Sequence, residues 1–304
     1  MKTVLMTGGT GLIGTRLTEL LQKKGYQVAY LTRGTEKKIP AGVKTYRWNV
    51  AGNQLDDAAL LEADHLVHLA GAGIADARWT DERKREIIDS RTKTIELIAN
   101  RLAVLPHKIQ SFVSASAIGY YGADTGSEWI SEQYTPGLDF LADVCVAWEA
   151  AADQVAALGV RTVKMRTGIV LSDQGGALPK LTAPMKFGMG APLASGKQYQ
   201  SWIHLDDMAR MYLEALENPA WSGAYNGVAP HPVTNADLTK AAAEVLKKPL
   251  WLPHVPEFSL KLAFGEMAVV VTGGNYILNQ RVRLETDFKY EFPYLKPALE
   301  DLLG

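Results

Sequence analysis

One cysteine, Cys145, stands in 304 residues. That excludes an internal disulfide and a metal site built from several thiolates, and it suits a reducing compartment. An excess of one charge is also missing. Lys and Arg total 32 against 33 Asp and Glu, a net charge of −1. Such a chain carries no electrostatic footprint for nucleic acid or for an anionic membrane. Long hydrophobic runs are absent too. Val4-Leu5-Met6 gives way to Gly8, and Met267–Val271 is equally short, so neither reads as a signal peptide or a membrane span. No repeat or low-complexity tail interrupts the chain. His65 and His68, three apart on a strand, face opposite sides, and the other histidines are scattered. These absences predict a cytoplasmic protein with no metal, no nucleic-acid partner and no membrane partner.

Apolar residues make up 47% and charged residues 21%, an ordinary globular balance. The length suits one larger domain with a smaller one attached. From the amino terminus, strand-like and helix-like patterns alternate. Val4-Leu5-Met6 reads as a strand, and Leu12, Ile13, Leu17, Leu20 and Leu21 recur at helical spacing. Strands follow near Val28–Leu31, Val43–Trp48, Leu66–Leu69, Phe112–Val113 and Val163–Val170. Long helices are predicted over Asp81–Leu105 and Asp139–Leu158. Alternation of this kind predicts an α/β fold, a Rossmann-type doubly wound parallel sheet with a smaller C-terminal substrate lobe. The predicted boundaries are 1–170 for the nucleotide-binding domain, its sheet completed by later strands up to about 230. Residues 171–304 form the lobe, with a small C-terminal domain from about 250 and an apolar helix near Leu260–Val270.

Thr7-Gly8-Gly9-Thr10-Gly11-Leu12-Ile13-Gly14 lies between the first strand and the first helix. Its glycines satisfy two dinucleotide spacings, through Gly9 or Gly8 followed by Gly11 and Gly14. One glycine permits the tight turn, one lets backbone approach a pyrophosphate, and one lets helix and strand pack closely. Free N–H groups at the helix start then face the anion. Gly8, Thr10, Gly11, Leu12, Ile13 and Gly14 are therefore candidate cofactor contacts. The second strand ends in Thr32-Arg33, where an NAD site usually places a carboxylate. Arg33 can receive a 2′-phosphate instead, which points to NADP(H); Lys37 and Lys38 add charge nearby. In the long helix, Arg91 shares the apolar stripe of Ile87, Ile95, Ile98 and Leu102. A buried guanidinium needs a partner, either a cofactor oxygen or a carboxylate.

These residues, with His68-Leu69-Ala70-Gly71, Ser114-Ala115-Ser116 and Trp202-Ile203-His204-Leu205-Asp206-Asp207, resemble the extended short-chain dehydrogenase/reductase superfamily. A closer similarity is to a branch described as nucleoside-diphosphate-sugar epimerases. It rests on Ser114–Gly122, Phe140-Leu141-Ala142 with Trp148–Ala151, Tyr225–Pro230, Phe264–Met267 and Asn279–Val282. The resemblance implies NADP(H) binding. It implies that Leu69, Ala70 and Gly71 run along the ribose and phosphates, that Glu86 and Arg91 lie near the cofactor, and that Ile169 and Val170 meet the nicotinamide carboxamide. It also implies pairing of the two long helices in a homodimer.

The superfamily's proton chemistry uses Ser, Tyr and Lys, the last two four residues apart on a helix. Ser116 fits the Ser position. Alignment on Glu149 places Leu141 and Cys145 where Tyr and Lys are expected, and neither can move a proton in the same way. Tyr120 and Tyr121 are the substitute proton donors, or they wall the pocket. Asp143 is a further carboxylate candidate. Lys164 and Arg166 share a strand face, directed to the cleft or to ion pairs. Trp202 and His204 line the substrate pocket or pack between the lobes. The expected function is an NADP(H)-dependent oxidoreductase or epimerase acting on a small molecule, a nucleotide sugar or a carbonyl compound. The alternative is a cofactor-binding redox sensor without turnover.

Overall fold

Five residues decide the architecture. In Thr3–Thr7 the side chains of Val4, Leu5 and Met6 are fully buried. Successive strand side chains point to opposite faces. Val4 and Met6 join one apolar cluster, whereas Leu5 joins another. A strand buried on both faces needs helices above and below it.

The computed structural model describes residues 1–34 and 39–304. Its early strands are β1 (Thr3–Thr7), β2 (Gln27–Thr32), β3 (Lys44–Asn49), β4 (Gln54–Leu55), β5 (His65–His68), β6 (Ser111–Ala117) and β7 (Trp129–Ile130). Then come β8 (Arg161–Thr167), β9 (Ile169–Leu171), β10 (Tyr199–Gln200), β11 (Trp202–His204), β12 (Gly223–Gly227), β13 (Val233–Thr234) and β14 (Tyr276–Ile277). The first helices are α1 (Leu12–Lys23), α2 (Asp57–Glu62), α3 (Asp81–Leu102), α4 (Phe140–Ala156), α5 (Ala177–Lys186) and α6 (Leu205–Glu217). The later ones are α7 (Asn235–Val245), α8 (Glu257–Phe264), α9 (Val269–Thr272), α10 (Gln280–Glu285) and α11 (Leu295–Leu303).

Eight strands form the main sheet in the order β12-β8-β6-β5-β1-β2-β3-β4. All neighbours are parallel except β3 and β4. The predicted α/β doubly wound sheet is therefore observed. Helices α1 and α6 cover one face through Leu17, Leu21, Met208 and Tyr212. Helices α3 and α4 cover the other through Ile95, Ile98, Trp148 and Ala152. Each such fully buried aliphatic side chain contributes roughly 1.5–3 kcal/mol. The chain moves from β1 to β2 on one side and returns to β5 on the other. The switch point thus lies where β1 and β5 end, and ligands of open α/β sheets bind at such crevices.

The sheet takes its outermost strand, β12, from beyond residue 170. The remaining chain is tied back firmly. Strand β14 pairs with β7, Tyr276 opposite Trp129. Asp207 is fully buried, and its carboxylate accepts from the backbone N–H groups of Glu291 and Phe292, both at 2.8 Å. The apolar helix expected near Leu260–Val270 is instead α8, a short 3-10 turn over Gly265–Ala268, and α9. Gly265 breaks it with φ of +63°, a left-handed conformation that ends a helix. Among the described residues no helix is long and apolar enough to cross a membrane.

Candidate functional site

The glycine turn sits at the switch point. Gly8 has φ of +66°, and a Cβ there would lie 2.6 Å from the backbone carbon of Leu69. A Cβ on Gly14 would lie 2.6 Å from the Gly8 oxygen. Both positions therefore demand glycine. Gly11 precedes α1, and its N–H donates to the Gly8 carbonyl at 3.0 Å. No acidic side chain occupies the first turn of α1, so nothing there competes with an anion for Leu12, Ile13 and Gly14. Thr10 is exposed at the tip. Tyr30 supports the turn from below, its hydroxyl donating to the Gly9 carbonyl at 3.0 Å and sharing a bond with Thr18. The Thr7 hydroxyl accepts from the N–H groups of Leu69 and Ala70, both at 3.2 Å, fastening the exit of β5 to that of β1.

The end of β2 is close by in the sheet. Thr32 is buried, and its hydroxyl accepts from the Gly34 N–H at 2.7 Å. Arg33 is exposed beside it. Lys37 and Lys38 lie outside the described residues.

Arg91 is buried on α3 and has no carboxylate partner among the described residues. Its Nη1 donates to the Ile87 carbonyl at 2.8 Å, and its guanidinium lies 4.8 Å from the centre of the Trp148 ring. Its Nε is buried without any hydrogen-bond partner. Burial pushes its pKa down. The ion-pair alternative for Arg91 is thus not what the fold contains. Gly71 faces it closely, for a Cβ there would stand 3.2 Å from the guanidinium carbon. Glu86 is exposed and pairs with Arg83 at 2.6 Å, while Arg83 donates to the Gly73 carbonyl at 2.6 Å. Glu86 therefore bears on the loop after β5 through Arg83.

Beside Arg91 opens a cavity of about 270 Å³. Helix α4 gives it an apolar wall of Leu141, Val144, Cys145 and Trp148. Ala117, Ile118 and Gly119 enter from the end of β6, and Thr167, Gly168 and Ile169 from the end of β8. Tyr199, Gln200 and Ser201 face these, with Val270 and Gly273–Asn275 from the C-terminal segment. Burial pushes the Cys145 thiol up to about 12, so it stays protonated and inert. Val170 is half-buried next to Ile169, and its carbonyl neighbours Gly176 where that loop crosses Leu12.

The predicted catalytic group lies outside this lining. On β6, Ala117 faces the cavity, and alternation turns Ser116 away. Ser116 is buried, and its hydroxyl donates to Glu149 at 2.8 Å. Glu149 holds Arg166 in a two-pronged pair at 2.7 and 3.0 Å. Arg166 donates to the Tyr121 hydroxyl at 2.9 Å, which donates to Asn226 at 2.8 Å. The guanidinium also lies 3.5 Å from the centre of the Tyr120 ring. Burial pushes the Tyr121 phenol up to about 12. Ser116, Tyr120 and Tyr121 are thereby brought together in one buried polar network. Lys164 turns to Asp153 at 2.8 Å, so both strand cations form ion pairs.

Trp202 and His204 pack between elements rather than line the cavity. The Trp202 indole is fully buried with Leu238 and Leu299 and donates to the His231 carbonyl at 3.0 Å. His204 caps α6 by accepting from the Asp206 N–H at 3.1 Å, and its ring stacks on Phe292 at 3.9 Å. Sequence reasoning missed Tyr199, Gln200, Asn275 and Tyr30. The first two stand immediately before the Trp202–Asp207 run, a signal that was available. Asn275 and Tyr30 carried none.

A glycine turn at the switch point of an eight-stranded, mostly parallel sheet defines an atypical extended short-chain dehydrogenase/reductase. The chain belongs to the NAD dependent epimerase/dehydratase family, which residues 4–226 match. Residues 255–302 match a domain of unknown function, DUF1731. Across 99% of its length the chain is 37% identical to the chloroplastic epimerase family protein SDR39U1 homolog of Arabidopsis thaliana, covering 86% of that protein. It is 33% identical to epimerase family protein YfhF of Bacillus subtilis, over 99% of this chain and 98% of that one. The crystal structure of human epimerase family protein SDR39U1 with NADPH is similar at a TM-score of 0.86 and 31% identity, covering 99% and 98% of the two chains.

Proposed function

We propose that this chain holds NADP(H) across the switch point and is an oxidoreductase of a small-molecule substrate. The observation that carries the proposal is Arg91: a buried cation, with an orphaned Nε and no carboxylate partner among the described residues, set against Gly71 in the loop whose start, Leu69 and Ala70, packs on Gly8 of a turn that admits a pyrophosphate closely. The backbone of Gly8, Gly11, Leu12, Ile13 and Gly14 would take the pyrophosphate, with Thr10 at its edge. Thr32 and Arg33 would take the 2′-phosphate. Leu69, Ala70, Gly71 and Arg91 would take ribose and phosphate oxygens, and Ile169 and Val170 the carboxamide. NADPH, when bound, supplies a hydride. The chain's own part is to orient the substrate and exclude water, and the apolar wall of α4 serves both. The Ser116–Glu149–Arg166–Tyr121 network fixes the wall behind it. The cytoplasmic location, and a homodimer through α3 and α4, belong to the same proposal.

The sensor reading has one observation in its favour: Ser116 and Tyr121 spend their hydroxyls inside the network. The full chain incubated with NADPH and a panel of carbonyl compounds and nucleotide sugars separates the two. Oxidation of NADPH with at least one compound supports the oxidoreductase. Stoichiometric NADPH binding without conversion anywhere in the panel overturns it in favour of the sensor.

A further inference from the structure

We propose that the cavity beside Arg91 takes a small, uncharged carbonyl compound with an apolar body and turns away nucleoside-diphosphate sugars. The inference rests on the NADP(H) reading for its context but on the cavity alone for its chemistry.

Size is the first argument. Sites for drug-sized ligands occupy roughly 300–1,000 Å³. This cavity holds about 270 Å³ in all. Charge is the second. A nucleoside diphosphate needs cations or an array of donors for its phosphates. Arg91 is the only cation lining the cavity among the described residues. Its neighbours are already engaged: Arg166 with Glu149, Lys84 with Glu266, and Arg78 with the carbonyls of Leu262 and Ala263. The groove next to the cavity, which shares Gly273 with it, presents Asp124, Glu257 and Glu266 against Lys261. Lys261 is itself paired with Glu257 at 2.7 Å. With Glu266 held by Lys84, a diphosphate arriving there meets Asp124 and, among the described residues, no unpaired cation of the groove.

Hydrogen bonding is the third. Ser201 spends its hydroxyl on the Asn275 carbonyl and the Ile277 N–H. Asn275 spends its side chain on Gly122 and Thr125. The Tyr199 hydroxyl and the Gln200 amide have no side-chain partner among the described residues, and both belong to the lining. The two side chains point to opposite faces of their strand, so one phenol, that of Tyr199, against an apolar wall is what suits a single carbonyl oxygen, with the rest of the molecule against Leu141 and Val144.

The probes are acetophenone and UDP-glucose, each offered to the full chain saturated with NADP⁺ and read by saturation-transfer NMR. Acetophenone is expected to bind saturably and UDP-glucose not at all. Tyr199→Phe keeps the shape and is expected to weaken acetophenone by about fivefold or more, with NADPH affinity unchanged as the check on folding. Saturable UDP-glucose binding that acetophenone displaces would overturn the inference, as would acetophenone affinity indifferent to Tyr199→Phe. If NADPH itself fails to bind, the cofactor reading falls. The same probes on the cofactor-free chain then decide this inference by the same outcomes.

Discussion

Arg91→Met is expected to weaken NADPH and to leave the empty protein close to its present stability, within about 1 kcal/mol below and about 2.5 kcal/mol above it. Methionine keeps an apolar stem against Trp148 and removes the charge. The orphaned Nε disappears, which returns about 1–3 kcal/mol. The contact over the Trp148 ring is lost, at about 0.5–2 kcal/mol. The Ile87 carbonyl still accepts its helical N–H bond, so no acceptor is stranded. The net lies between about 1 kcal/mol of destabilisation and about 2.5 kcal/mol of stabilisation, or roughly −2 to +5 °C in Tm. Binding moves the opposite way. Losing a charge-assisted bond costs about 1.5–3 kcal/mol, which is about ten- to hundredfold in the NADPH Kd. Scanning calorimetry of the cofactor-free protein and nicotinamide fluorescence titration read the two quantities. Unchanged NADPH affinity together with a Tm several degrees lower would show that Arg91 is a structural cation and refute the reasoning.

Other expectations follow from the same geometry. Glu149→Ala strands Arg166 in the interior and should cost about 3–5 kcal/mol in urea unfolding, whereas a loss below about 1 kcal/mol would mean that the network is slack. Cys145 should resist iodoacetamide in the native protein at pH 8, with mass spectrometry showing the free thiol; rapid stoichiometric labelling would contradict its burial. Burial holds the His65 and His68 imidazoles down at about 4 and about 3, below their ordinary 6.5. The unfolded chain therefore takes up protons first. Stability is full above about pH 7.5 and should fall by roughly 2 kcal/mol per pH unit between pH 6 and 5, a slope that His68→Asn roughly halves. A flat stability profile across that window would refute it. Gly8→Ala should abolish NADPH binding, because the new Cβ meets the Leu69 backbone.

Much of the fold was legible because its causes are local. Val4-Leu5-Met6 announced a strand buried on both faces, and the spacing of α1 and α3 announced their helices. The glycine turn was legible because steric demand at Gly8 and Gly14 leaves one residue type. Arg91 was legible as a buried cation on an apolar stripe, though its pairing was not. Long-range register hid the rest. Nothing in Ser116 shows that Arg166 and Glu149 will lie beside it, since those partners come from β8 and α4. One strand side carrying Trp202 and His204 suits a pocket and packing between the lobes alike, and that side faces α7, α11 and Phe292. Tyr199 stands next to the Trp202–Asp207 run, but its place opposite the C-terminal Gly273–Asn275 in the cavity is a long-range contact.

The Gly8–Gly14 turn, with Arg91 and with Arg33 at the end of β2, is proposed to hold a phosphorylated dinucleotide. Isothermal titration of NADPH and of NADH into the full chain tests it most directly, with Arg33→Ala alongside. One NADPH per chain is expected, with NADH weaker by about tenfold or more and a preference that Arg33→Ala erases. Equal affinity for the two, or no saturable heat with either, would contradict it.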